Sequence, residues 1–218
     1  VIFRNRKQAG QRLAKKLYNY ADQLDVLVLA LPRGGVPVGY EVASALHVPL
    51  DVFTIRKLGT PGQEELAMGA IAPGGVRVIN HEVVRSMMIS EVTIEEVVAR
   101  ELAELERREK AYRGERPRPE IKGKTIIVVD DGLATGASMR AAVYAIRKQL
   151  PKKIIVAVPV GAESTCASFN DIADEIICLE TPAPFYGVGA WYDDFSQTTD
   201  EEVRTLIDRA NEHIVVSC

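Results

Sequence analysis

The sequence lacks most features that would mark it for nucleic acid, a membrane or an oxidising compartment. Its 27 Lys and Arg against 30 Asp and Glu leave a net charge of −3 over 218 residues. That balance gives no electrostatic reason to expect nucleic acid or an anionic bilayer as a partner. No apolar run approaches the ~20 residues that a membrane-spanning helix needs. The N-terminal stretch has no apolar h-region of a secretory signal. Cysteine is scarce: Cys166, Cys178 and Cys218 are odd in number and lack metal or redox spacing. Reduced thiols and a cytoplasmic location are therefore expected. His47, His81 and His213 lie apart, without a nucleophile or carboxylate at telling spacing. No Gly-x-Gly-x-x-Gly follows the first strand, which argues against a dinucleotide fold. Ser138 and Ser164 lack a nucleophile-elbow context, so serine hydrolysis finds no support. Repeats and low-complexity tracts are also missing. What remains is length enough for one large α/β domain, residues 1–218, with a core that needs no staples.

The most informative stretch runs from Ile126 to Ser138. Ile126, Ile127, Val128 and Val129 form a short β-branched run, the pattern of a strand buried on both faces. Asp130 and Asp131 stand where that strand should leave the sheet. Gly132 and Gly136 punctuate a loop, and Met139 to Leu150 resumes at helical spacing with Ala142, Val143, Ile146 and Leu150 on one face. In an open parallel sheet such a loop lies at the carboxyl end of the strands, where ligands bind. Unbonded N–H groups at the helix start suit a phosphate, and Thr135 and Ser138 add hydroxyl donors. The carboxylates repel anions, so they should sit to one side and accept hydrogen bonds from sugar hydroxyls. One loop would then hold a ribose 5-phosphate. The plainer alternative is a turn whose Asp caps the helix; an ordinary cap needs one Asp and no Thr-Gly-x-Ser behind it.

A second strand–loop–helix precedes it. The strand Asp25 to Leu31 runs into Pro32-Arg33-Gly34-Gly35-Val36-Pro37, followed by a helix from Val38 to Leu46. Two glycines let backbone approach a phosphate, and Arg33 supplies a fork suited to phosphate oxygens. A further strand, Leu50 to Ile55, leads into Arg56-Lys57-Leu58-Gly59-Thr60-Pro61-Gly62 and a hairpin, Leu66 to Ile71 with Val76 to Ile79.

Val-Val-Asp-Asp-Gly-Leu-Ala-Thr-Gly-Ala-Ser, Val128 to Ser138, resembles the phosphoribosyl diphosphate (PRPP) signature of type I phosphoribosyltransferases. The resemblance implies a mainly parallel α/β sheet flanked by helices, with a small C-terminal hood at about 180–199. It implies that Asp130 and Asp131 bind the ribose hydroxyls and, with Arg56, carry the chemistry. Ala134, Thr135, Gly136, Ala137 and Ser138 would wrap the 5-phosphate. Pro-Arg-Gly-Gly looks like the family's pyrophosphate loop, with Arg33, Gly34 and Gly35 on the ligand and a non-proline cis bond at Pro32–Arg33. Arg56 and Lys57 would begin a flexible lid that meets pyrophosphate. Phe185-Tyr186-Gly187-Val188-Gly189 is similar to the hood of hypoxanthine-type enzymes, so Phe185 or Tyr192 would stack on a base. Mg²⁺ would be held by Asp130, Asp131 and Asp193.

The implied reaction moves ribose 5-phosphate from PRPP to a nitrogen nucleophile, a nucleobase in nucleotide salvage, and releases pyrophosphate. The acceptor stays open. Leu179 stands where hypoxanthine-type enzymes place a base-reading Lys, and Ala134 replaces their phosphate-loop Asp, as in adenine enzymes. A non-catalytic PRPP-binding regulator is the alternative from another class.

Two helices remain. Phe3 to Tyr20 reads as a basic amphipathic helix with Leu13, Ala14 and Leu17 inward, and Arg6, Lys7, Arg12, Lys15 and Lys16 on a solvated face. Ser90 to Arg113 is long and charged, with a narrow seam of Val98, Leu102, Leu105 and Tyr112 interrupted by Glu109. It lies within an inserted helical arm at about 81–120. A seam so thin suits packing on another helix, of this chain or of a homodimer partner.

Overall fold

A computed structural model describes residues 2–215, the side chains of the last three excepted. In chain order it contains α1 (Arg6–Lys16), β1 (Val26–Ala30), α2 (Gly35–Leu46), β2 (Leu50–Val52), β3 (Arg56–Thr60), β4 (Gln63–Ala72) and β5 (Val76–Ile79). Then follow α3 (His81–Ser86), α4 (Glu91–Arg113), β6 (Thr125–Val129), α5 (Ala137–Arg147), β7 (Lys153–Val160), α6 (Glu163–Ala167), β8 (Glu175–Glu180) and α7 (Asp200–Val215).

The main sheet has five parallel strands in the order β2-β1-β6-β7-β8. Every residue of β1 and β6 is buried, as the β-branched runs imply. Their side chains alternate between two cores. Val26, Val28, Ala30, Ile127 and Val129 face α1, α2 and α7; Leu27, Leu29, Ile126 and Val128 face α5 and Phe169. The chain therefore forms the α/β architecture expected, a parallel sheet sandwiched by helices.

The expected flexible lid is a second sheet, antiparallel, in the order β3-β4-β5. Arg56 to Thr60 pairs with β4 through a bulge around Gly59, so the segment read as loop is a strand. The short helix α3 also escaped the sequence; it is capped by Asn80, whose side chain accepts from the amides of Glu82 and Val83.

The arm is anchored within the chain. Ser90 caps α4 by accepting from Thr93 N–H, and Gly114, at φ +63°, ends it. Val98 and Leu105 are buried and Leu102 half-buried against Leu58, Met68 and Ile71 of the small sheet. The seam's chief partner is thus a sheet face, not the helix expected, because the lid forms three strands and offers an apolar side. Tyr112 packs farther along, in the core under α7, and donates to Asp200 Oδ1 at 3.0 Å. Glu109, which breaks the seam, is buried beside Arg113 and reaches the exposed Arg118: its carboxylate accepts from them at 2.8 and 2.6 Å. Arg113 reaches on to Asp51 at 3.0 Å. Burying a charge requires partners of this kind.

One expectation is corrected. Cys166 and Cys178, 12 residues apart, are joined as a disulfide between α6 and β8. Their spacing resembles no motif because the fold, not the local sequence, brings them together. The inference of a reducing compartment from free thiols lapses with it. No described helix is long and apolar enough to cross a membrane.

Candidate active site

Strand register sets the site. Ala30 pairs with Val129, so β1 and β6 end level, and the chain leaves them as adjacent loops leading to α2 and α5. From β1 the sheet extends outward to β2, and from β6 to β7 on the other side. The crevice between the two diverging connections is the switch point at which open α/β sheets take ligands.

The loops touch. A Cβ on Gly34 would fall 2.0 Å from Asp131 Oδ2, and one on Gly35 would meet Val129 O at 2.7 Å and Asp130 Cα at 3.0 Å. Both glycines are thus required by the partner loop itself, a reason separate from the ligand access expected of them. The Pro32–Arg33 bond is cis. Arg33 lies 3.7 Å from Asp200 at the start of α7.

Asp131 is held from two directions by residues remote in sequence. Arg6 Nε donates to its Oδ2 at 2.8 Å, and the Tyr192 hydroxyl donates to its backbone carbonyl at 2.7 Å. Arg6 also donates from Nη1 to Ser196 O at 2.7 Å and lies 3.9 Å from the centre of the Phe195 ring. The Arg6 and Asp131 side chains are 12% and 14% exposed. Arg6 therefore departs from the solvated face expected of it. Asp130 accepts from Asp131 N–H at 2.8 Å. Burial, and then the charge of Asp131, hold the Asp130 carboxyl well above the ordinary carboxylate range. Burial raises Asp131 as well, with Arg6 opposing it.

The hood has two strands of chain rather than one. Phe3 bridges to Tyr192, Ile2 and Phe3 N–H donate to Trp191 O at 3.1 and 3.0 Å, and Asp193 and Asp194 N–H donate to Phe3 O and Arg4 O, each at 2.9 Å. Tyr192 is buried, its ring centre 5.4 Å from that of Phe3 and 5.1 Å from that of Phe195. With its ring packed and its hydroxyl on Asp131, Tyr192 positions the acidic pair and has no open face for a base. Burial and then the Asp131 charge push its phenol pKa up. Phe185 stacks on Trp191, with ring centres 6.4 Å apart. Val188 closes directly on the acidic loop, since a Cβ on Gly132 would meet its Cγ1 at 2.6 Å.

The loop between Asp131 and α5 is braced from below by α6 and the residues after it. Thr165 Oγ1 donates to Ala134 O at 2.8 Å. Leu133 N–H donates to Val160 O, and Ala162 N–H to Leu133 O. Gly136 has φ +71°, and a Cβ there would sit 2.9 Å from both the Phe169 ring and Thr165 Cγ2. Its constraint comes from this underside as well as from any ligand above. Ala134, Thr135, Ala137 and Ser138 are exposed, and no side chain caps α5. Ala137 N–H makes only a long contact with Thr135 Oγ1 at 3.4 Å, and the amides that follow it are left for solvent or an anion.

The remaining predicted residues are not drawn into this cluster. Arg56 donates to Glu101 of the arm from Nε at 3.0 Å and Nη2 at 2.5 Å, and exposed Lys57 lies 3.6 Å from Glu65. Asp193 is exposed in the hood. Among the described residues, no three His, Cys, Asp or Glu side chains gather to cage a metal ion. The two carboxylates of Asp130 and Asp131 suit Mg²⁺, which commonly takes one or two carboxylates and draws its other ligands from water and substrate phosphates. Sequence reasoning missed Arg6, Thr165 and Phe169, and misjudged Tyr192; nothing in their local spacing points to the loops they support.

Residues 2–189 match a family model described as a phosphoribosyl transferase domain. Two Mycobacterium tuberculosis proteins, from strains CDC 1551 and H37Rv, carry names that place them provisionally among phosphoribosyl transferases. Each is 45% identical over 210 residues, 96% of this chain and 47% of its own length. The chain thus spans about half the length of the curated relatives it matches. The crystal structure of TT1426 from Thermus thermophilus is 39% identical with a TM-score of 0.85, covering 95% of this chain and 98% of that one.

Proposed function

Because the chain belongs to the phosphoribosyl transferase family, we propose that it transfers ribose 5-phosphate from PRPP to a nitrogen nucleophile and releases pyrophosphate. The observation that carries this reading is the contact of the two loops at the switch point, where Gly34 lies against Asp131. An anion on the Pro32–Gly35 loop and a phosphate on α5 would lie to either side of the acidic pair, the spacing of charge that a doubly anionic sugar presents.

In this reading the amides of Thr135 to Ser138 hold the 5-phosphate. Asp130 and Asp131 accept hydrogen bonds from the ribose hydroxyls, and their negative charge favours the cationic sugar that develops as pyrophosphate leaves. Gly34, Gly35 and Arg33 bind the leaving group. Mg²⁺ bound with PRPP would be held by Asp130 and Asp131 and would supply charge neutralisation of the pyrophosphate; Asp193, apart in the hood, is given no part in this. This reading assigns no general base, so catalysis rests on positioning and electrostatics. The hood over Gly132 shields the sugar from water, with Phe185 as the aromatic that meets the acceptor.

A nucleobase acceptor, and hence a salvage role, follows from the aromatic hood alone. The dimer has no remaining motive in the α4 seam, which the chain itself covers. The test is pyrophosphate release from PRPP and Mg²⁺ with each common nucleobase. Release that depends on one base supports the transferase. Saturable PRPP binding with no release above spontaneous hydrolysis, for any base, would leave a PRPP-binding regulator instead.

A further inference from the structure

We infer that Arg6 is a positioning residue for the acidic pair, coupling the hood to the ribose-binding end of the donor site; the inference rests on the PRPP reading above. Helix α1 lies over 100 residues from Asp131 in sequence, yet Arg6 reaches its carboxylate. The guanidinium spends one face on Phe195, one donor on Ser196 O and one on Asp131 Oδ2. All three partners are remote in sequence, and two belong to the hood.

This arrangement fixes Asp131 fully. Its carbonyl is held by Tyr192, one carboxylate oxygen by Arg6, and the same oxygen is pressed towards Gly34. Oδ1 is left to meet a ribose hydroxyl. Without Arg6, a largely buried carboxylate beside a second carboxylate would lose its counter-charge and the contact that sets its rotamer. Arg suits this post better than Lys, because a planar fork can pair, bridge and stack at once. Removing an outer partner that orients a ligating group commonly costs 10–100-fold.

The ligands of the two loops separate the roles. Calorimetry would compare wild type, Arg6→Gln and Arg6→Lys against PRPP and ribose 5-phosphate with Mg²⁺, and against pyrophosphate without it, so that no metal links the leaving group to Asp131. Arg6→Gln should weaken PRPP and ribose 5-phosphate by about 10–100-fold and leave pyrophosphate within about twofold. Arg6→Lys should recover part of the sugar-phosphate affinity, since an ammonium can still pair with Asp131. An equal loss for all three ligands, or a fall in melting temperature that accounts for the loss, would make Arg6 merely structural and overturn the inference. Wild-type PRPP affinity in Arg6→Gln would overturn it while leaving the transferase reading intact. Failure of the wild type itself to bind PRPP would overturn both.

Discussion

Gly34→Ala is the sharpest structural probe of the meeting between the two loops. Gly34 has φ −61° and ψ −31°, an ordinary right-handed conformation. Alanine therefore meets no backbone strain, and by restricting the unfolded chain it would by itself add about 0.4–1 kcal/mol of stability. Its Cβ, however, would lie 2.0 Å from Asp131 Oδ2 and 2.7 Å from Cγ. Real Cβ contacts essentially never fall below 3.0 Å, so the carboxylate must move by about 1 Å or more. That displacement breaks its pair with Arg6, and overpacking of this kind costs about 1–3 kcal/mol. The net expectation is a loss of up to about 2.6 kcal/mol, or up to roughly 5–10 °C in Tm for a chain of this size. In an Asp131→Ala background the obstacle is gone, and the same substitution should be neutral or stabilising by up to about 1 kcal/mol. A four-member denaturation cycle should thus give a coupling of about 1–3 kcal/mol. An equal effect of Gly34→Ala in both backgrounds would refute the contact.

Gly136→Ala should cost about 2–4 kcal/mol, from its left-handed backbone and its clash with Phe169 and Thr165; adding Phe169→Leu should restore part of the loss in urea denaturation, and a loss below about 0.5 kcal/mol would contradict the bracing described. Asp130→Asn should raise stability while abolishing donor binding, a trade expected where function requires a strained charge. The sign follows from its raised carboxyl pKa: the ionised form is penalised in the fold, so the cost is full above the folded-state pKa, shrinks as pH falls through it, and is gone below the ordinary value of 3.8. The Tm advantage of Asp130→Asn should therefore shrink on acidification, each kcal/mol counting for roughly 2–4 °C, and an advantage that grows towards low pH would contradict the burial of this acid.

Much of the core was legible because its signals are local. The runs Val26 to Ala30 and Ile126 to Val129 are apolar on both faces, and their loops carry the glycines and acids that mark a strand end at a ligand site. The hood was legible as irregular but not in its construction. Phe3 pairs with Tyr192 across nearly the whole chain, and no periodicity within α1 distinguishes Arg6 from Arg12, which meets Glu180 instead. Helical spacing reports which face an isolated helix buries, and it is silent about a distant loop folded over its first turn. The same limit explains β3. Arg56 to Thr60 contains a glycine and ends at a proline, so it reads as loop, and becomes a strand only because β4 offers it an edge. The cysteines failed for a related reason: α6 and β8 converge in space, and a 12-residue spacing carries no trace of that.

The most direct measurement of the central claim is a calorimetric titration of PRPP, with Mg²⁺, into the wild type and into Asp130→Asn with Asp131→Asn. The account predicts saturable binding by the wild type and none by the variant, with the variant still folded and cooperative in thermal unfolding. Equal PRPP affinity in the two proteins, or no binding by the wild type, would contradict the assignment of the switch-point crevice as a PRPP site.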